Sequence, residues 1–161
     1  MRIKGSQGKK KTHIKGLLEK AYKYRKEGKY KEALAKLNEA ILSPDITDLV
    51  FAYWERGRIY ECMEKYELAL SDINKAINLG PDLMECILYD RISIYKKLGE
   101  YALAIYDYTL CLNFFKSQPR TKEVYKFICD ILENRGNLYA KTGVFEKAKA
   151  DYDRAAKAKR I

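Results

Sequence analysis

The sequence predicts an all-α chain built as a solenoid of four stacked helix-turn-helix units, and three observations predict it. First, one phrase is written four times: Ala21, Tyr24, Gly28, Tyr30, Ala33, Leu37, Ala40; Gly57, Tyr60, Glu64, Tyr66, Ala69, Ile73, Ala76; Ile92, Tyr95, Gly99, Tyr101, Ala104, Tyr108, Cys111; and Gly136, Tyr139, Gly143, Phe145, Ala148, Tyr152, Ala155. Second, the copies start 36, 35 and 44 residues apart, a period typical of helical repeat arrays. Third, each copy has a bulky residue four positions ahead of it, at Leu17, Tyr53, Leu88 and Leu132.

Each element of a unit follows from that phrase. In the first segment the large residue, the small residue and the Tyr stand at i, i+4 and i+7, one stripe of a helix. In the second, the aromatic, Ala, the next apolar or Tyr residue and the last small residue stand at i, i+3, i+7 and i+10. Gly28, Gly99 and Gly143 fall between the two, where a left-handed C-cap accepts glycine without steric penalty. Glu64 takes that slot in the second unit and is therefore expected at positive φ. Ala33, Ala69, Ala104 and Ala148 leave room for two helices to approach closely while the tyrosines fill the remaining grooves. One such unit cannot bury its own stripe, and four stacked units can.

Between the third and fourth units about ten residues are inserted, opening on Ser117, Gln118 and Pro119. Pro suits the first turn of a helix. From there Val124, Tyr125, Phe127, Ile128, Ile131 and Leu132 run on to Tyr139 without a breaker. A helix of about 20 residues, near 30 Å, is expected, overhanging its shorter neighbours. The last helix has a polar outer face and can close the stack.

The repeated residues resemble the tetratricopeptide repeat family, whose unit is a helix-turn-helix of the same length. The resemblance divides the chain into a basic flexible tail over 1–13 and a single domain over 14–161, with repeats at about 14–47, 50–83, 85–118 and 129–161. It implies a right-handed α-solenoid whose first helices line a concave face. The family's inward positions, carried onto this chain, give a peptide-binding groove of Tyr22, Arg25, Lys26, Trp54, Arg58, Tyr89, Lys96, Lys97, Asn137 and Lys141. Large aromatics beside arginines are the residues that most often carry interface energy. Trp54 stands one position after Tyr53, which holds the family's Trp slot, so groove and core both stay open for it. The family's carboxylate clamp is absent, since its five positions hold Leu18, Tyr22, Glu55, Cys86 and Asp90.

Charge and composition bound the function. Of the net +10, residues 1–13 contribute five basic residues and no acid, and 141–161 contribute seven basic against three acidic. Residues 14–140 carry 20 basic and 19 acidic residues, so the body is nearly neutral and the ends are basic. The four cysteines, Cys62, Cys86, Cys111 and Cys129, have no CxxC spacing, and His13 is the one histidine. Neither a metal site nor a His-based relay is expected, and no cofactor. Cys111 takes a slot held by Ala elsewhere and is expected in the core. No run approaches the ~18 apolar residues of a membrane span, and a cytoplasmic location is expected. The expected function is a non-enzymatic protein-interaction scaffold that binds an acidic peptide or protein segment with apolar anchors in the concave groove. The alternative is binding of nucleic acid or another acidic surface through the basic ends.

Overall fold

The computed structural model describes residues 4–80 and 84–159, and all regular structure among them is helical. In chain order the helices are α1 (Lys4–Lys26), α2 (Tyr30–Ala40), α3 (Ile46–Cys62), α4 (Tyr66–Leu79), α5 (Met84–Leu98), α6 (Tyr101–Lys116), α7 (Lys122–Lys141) and α8 (Phe145–Ala158). They form the four helix-turn-helix pairs of the sequence. Contacts divide the chain into two compact units, Met1–Ile87 and Leu88–Ile161, where the sequence reading takes 14–161 as one domain. Each helix pair of such an array packs on its neighbours alone, so no single core need gather the whole chain.

In the first unit α1 packs on α2, α3 packs on α4, and α3 also contacts both α1 and α2. Its core includes Leu17, Ala21, Ala33, Leu37, Ala40, Ala52 and Ile59, the repeated stripe and its partners. In the second unit α7 lies against both α6 and α8, and Leu88, Ile92, Ala104, Cys111, Leu132 and Ala148 are buried. Cys111 is in the core as expected. Each buried Leu or Ile contributes about 1.5–3 kcal/mol. The small slots are as tight as the pattern implies: a Cβ added at Gly57 would lie 2.8 Å from Ile73 Cγ1 and 3.2 Å from the Ala69 carbonyl oxygen.

The four turns are built alike. In each, the residue after the left-handed position donates its N–H to the Tyr carbonyl five residues back: Lys29 to Tyr24 at 2.9 Å, then Lys65 to Tyr60, Glu100 to Tyr95 and Val144 to Tyr139, each at 2.8 Å. The left-handed residue itself bonds three residues back, which completes a Schellman cap. Gly28, Gly99 and Gly143 have φ of 72°, 78° and 78°, and Glu64 has 58°. The expectation for Glu64 is met.

A second repeated device joins the two helices of a pair. Arg56 grips Asp72 through Nε (2.6 Å) and Nη2 (2.9 Å), Arg91 grips Asp107 (2.8 and 2.7 Å), and Arg135 grips Asp151 (2.7 and 2.7 Å). In all three pairs Arg and Asp are 16 residues apart. The carboxylates are 2%, 1% and 3% exposed, so they need a charged partner to remain ionised inside the fold. Each guanidinium also lies over the Tyr one turn on, 5.9 Å from Tyr60, 5.9 Å from Tyr95 and 5.7 Å from Tyr139. Arg56 Nη1 also reaches back to the preceding pair, donating to Asn38 at 2.7 Å, as does Arg135 Nη1 to Thr109 at 2.8 Å. In the first repeat the corresponding positions are Lys20 and Lys36, which cannot form this pair.

Two boundaries differ from the sequence reading. Residues 1–3 lie outside the described residues, and from Lys4 onward the backbone is already helical, so the basic stretch enters α1 instead of stopping at residue 13. Lys9, Lys10 and Lys11 are good helix formers, and His13 Nε2 sits 3.0 Å from Glu39 Oε1 on α2. The inserted segment does give a 20-residue helix, but it opens at Lys122 with Thr121 as N-cap, its hydroxyl accepting from the Val124 N–H at 3.3 Å. Pro119 lies outside the first turn; its carbonyl accepts the Thr121 N–H at 2.9 Å. A Thr cap satisfies a donor that Pro would leave open to water.

Glu64→Gly is expected to stabilise the fold by roughly 0–1 kcal/mol in urea unfolding, because relief at φ 58° outweighs the entropy lost by Gly. A clear destabilisation would show that Glu64 is held by something other than its turn. Asp151→Ala is expected to cost about 3–5 kcal/mol, since it strands Arg135, and adding Arg135→Met is expected to restore much of that loss. Equal loss in the single and double variants would show that the pair is not the source of the effect.

Candidate functional site

On α1, Leu18, Tyr22 and Arg25 stand at i, i+4 and i+7, and on α3, Phe51, Glu55 and Arg58 do the same, so each set forms one stripe. The two helices are neighbours, and between their stripes lies a hollow of ≈ 310 Å³ lined by Leu18, Glu19, Tyr22, Phe51 and Glu55. Glu55 is the electrostatic centre of this patch. Its Oε2 accepts from Arg25 Nε at 2.8 Å and its Oε1 from Arg58 Nη1 at 3.0 Å. Arg25 and Lys26 lie over the Tyr22 ring at 5.2 and 5.6 Å, and Arg58 lies 5.9 Å from the Trp54 ring. Phe51 stacks on Trp54 with centroids 6.1 Å apart.

Exposure sorts these residues. Tyr22 is 48% exposed and Phe51 is exposed too, while Trp54 and Arg58 are half-buried. Trp54 is therefore neither a core residue nor a free surface one: one side meets Phe51 and Arg58. The Arg25 side chain is only 9% exposed, and its Nη2 is buried without a hydrogen-bond partner. A buried donor left unpaired costs about 1–3 kcal/mol.

In the second unit α5 brings Tyr89, Ser93, Lys96 and Lys97 to a hollow of ≈ 350 Å³ whose floor is Ile92 and, from α6, Tyr108. Tyr89 and both lysines are exposed, whereas Tyr108 is buried, and that burial pushes its phenol above the ordinary value. Three of the residues expected at a groove thus share one hollow. Asn137 and Lys141 do not line it. The Asn137 side-chain oxygen accepts from the Tyr152 hydroxyl at 2.9 Å, and Lys141 Nζ sits 4.5 Å over the Tyr101 ring, so both are engaged by neighbouring helices.

Phe51 stands on the family's inward face as well, whereas Glu55 and Tyr108 are not among the residues expected at the groove. The signal for Glu55 was available, because it lies three residues before Arg58 on the same face. Among the described residues no three or more His, Cys, Asp and Glu side chains gather into a possible metal site. No described helix is long and apolar enough to cross a membrane.

A sequence model of the tetratricopeptide repeat matches residues 52–83 and 130–161, the second and fourth helix pairs. No curated protein matches the chain in sequence. Among solved structures, the crystal structure of MamA superposes with a TM-score of 0.72 at 18% identity, covering 92% of this chain and 79% of that one. A tetratricopeptide repeat protein from Parabacteroides merdae gives 0.68 at 26% identity, with 89% of this chain and 52% of that chain covered. BtubC from P. vanneervenii gives 0.70 at 16% identity over 87% and 60%. Two of the four helix pairs are thus tetratricopeptide repeats by sequence, and the chain as a whole has the fold of tetratricopeptide repeat proteins.

Proposed function

We propose that this chain is a non-enzymatic, cytoplasmic scaffold that binds protein segments, and that its ligands are acidic with at least one apolar side chain. The observation that carries this reading is the patch between α1 and α3, where Tyr22, Phe51 and Trp54 lie beside Arg25 and Arg58. Rigid aromatics present large contact area at low entropic cost, and arginines held in place by Glu55 lose little freedom on binding. With Arg25, Lys26 and Arg58 against Glu55 and Glu19, the patch keeps a positive excess. In the second unit Tyr89, Lys96 and Lys97 repeat the same chemistry around their own hollow.

Repeat scaffolds bind through such surfaces without chemistry of their own. Apart from Glu19 and Glu55, the latter holding the two arginines, the binding residues of these patches are cations and aromatics. They suit recognition of a carboxylate next to an apolar group and contain no nucleophile paired with a base.

Trp54→Ala is expected to weaken binding of an acidic peptide carrying an aromatic anchor by about 2 kcal/mol while the fold stays cooperative. Lys97→Ala is expected to change chiefly the on-rate and the salt dependence. Fluorescence anisotropy across a salt series measures both. Unchanged affinity in a folded Trp54→Ala protein would overturn the assignment of this patch. A salt slope of several counterions, with tighter binding to single-stranded RNA than to peptide, would favour the basic ends instead.

A further inference from the structure

A further hollow lies outside both patches, in the second unit, where the first three turns of α7 meet the ends of α6 and α8. It measures ≈ 500 Å³, within the range of small-ligand sites. Its apolar walls are Leu112 and Phe115 from α6 and Val124, Tyr125, Ile128 and Leu132 from α7. The remaining lining includes four cations and no acid: Lys116 and Arg120 from the α6 end and the loop after it, Arg154 and Lys157 from α8. Three of them have neighbours in place, Lys116 on Asn113 (2.9 Å), Arg120 over Tyr125 (5.9 Å) and Arg154 near Asp151 (3.6 Å). Asp151 is already gripped by Arg135, so Arg154 remains poorly neutralised. Phe127 does not enter the hollow; it stacks on Phe115 at 5.6 Å and braces the overhanging turns.

We infer that this hollow is a second docking site, for an acidic segment of a partner protein that inserts one bulky apolar side chain. Charge complementarity selects this occupant. The cations come from the α6 end, the loop after it and α8, around an apolar floor, so they match carboxylates placed before and after a single anchor. A fatty acyl chain has one charged end and would use one of these groups. The surface also continues past the anchor: a neighbouring hollow of ≈ 320 Å³ shares Tyr125 and Ala158 and is bordered by Lys122, Lys126 and Lys159, with Asp130 the one acid in its lining. Lys159 is paired with Glu133 there. An extended chain can follow both hollows, with its anchor in the larger one.

The test is methyl NMR on the whole chain during titration with a synthetic peptide in which a Leu-Phe pair is flanked by glutamates. Saturable shifts are expected at Val124, Ile128 and Leu132. The double variant Arg120→Glu with Lys157→Glu, at two exposed positions, is expected to weaken those shifts about tenfold or more. Replacing the Leu-Phe pair with Ser-Ser is expected to abolish them. Ile92, on the floor of the α5 hollow, reports binding there separately, so failure of one site is distinguishable from failure of the other. Shifts at Ile92 with none at Val124 or Ile128 would overturn the inference. So would a response of Val124 and Ile128 to dodecanoate but not to the peptide, or equal binding by the Ser-Ser peptide.

Discussion

The Arg–Asp pair is the interaction on which the helix pairs of this protein depend. Ala and Gly at the crossing points let the two helices approach closely, but small residues alone do not fix how far one slides along the other. A guanidinium held by two hydrogen bonds to a buried carboxylate does fix it, because a shift of one turn would strand both charges in the interior. Such a pair contributes little net stability compared with an apolar pair of the same volume, and much specificity. The remaining guanidinium nitrogen can bond to the preceding helix pair, as Arg56 does to Asn38 and Arg135 to Thr109. One side chain then sets the register within a pair and between adjacent pairs. The first repeat, with Lys20 and Lys36 in these slots, relies on the Leu17, Ala21 and Leu37 packing and on its Schellman turn.

Much of this was legible in the sequence, and the missing part has a physical reason. Period, turn and crossing residues were readable because each is a local requirement: positive φ selects Gly, close approach selects Ala, and a helix stripe repeats every three or four residues. Even the departure at Glu64 could be read, since the slot decides the conformation and the residue accepts it. The Arg–Asp pair is not local. Sixteen residues lie far beyond the i+3 and i+4 reach within one helix, and the two groups meet only when the chain has turned back on itself. The signal existed in the aligned copies, which place Arg56, Arg91 and Arg135 in one column and Asp72, Asp107 and Asp151 in another. Read one helix at a time, these charges look like surface.

The candidate site shows the same division. Tyr22, Trp54, Arg58, Tyr89, Lys96 and Lys97 follow from the position of each residue in its repeat, which is a sequence property. Glu55 acquires its importance from two arginines on different helices, and Tyr108 becomes a floor because α5 leaves a gap above it. Asn137 and Lys141 are the converse. Their positions in the repeat are equivalent to those of the others, yet Tyr152 and Tyr101 stand close enough to engage them. Position in a repeat selects the helix face that a side chain occupies; the residues of the adjoining helices decide whether its polar end is left for a ligand.

Charge explains how cationic patches can coexist with a nearly neutral body. Residues 14–140 balance 20 basic against 19 acidic side chains, but Asp72 and Asp107 are consumed by Arg56 and Arg91 inside the helix pairs, and Glu55 is shared by two more arginines. A near-zero sum therefore does not imply a uniform surface. Where Lys116, Arg120, Arg154 and Lys157 surround an apolar hollow with no acid in its lining, the local excess is positive. At physiological salt, charges are felt over about 8 Å, roughly the scale of one such hollow. It is this local field, and not the net charge of the chain, that any charged group approaching the hollow meets.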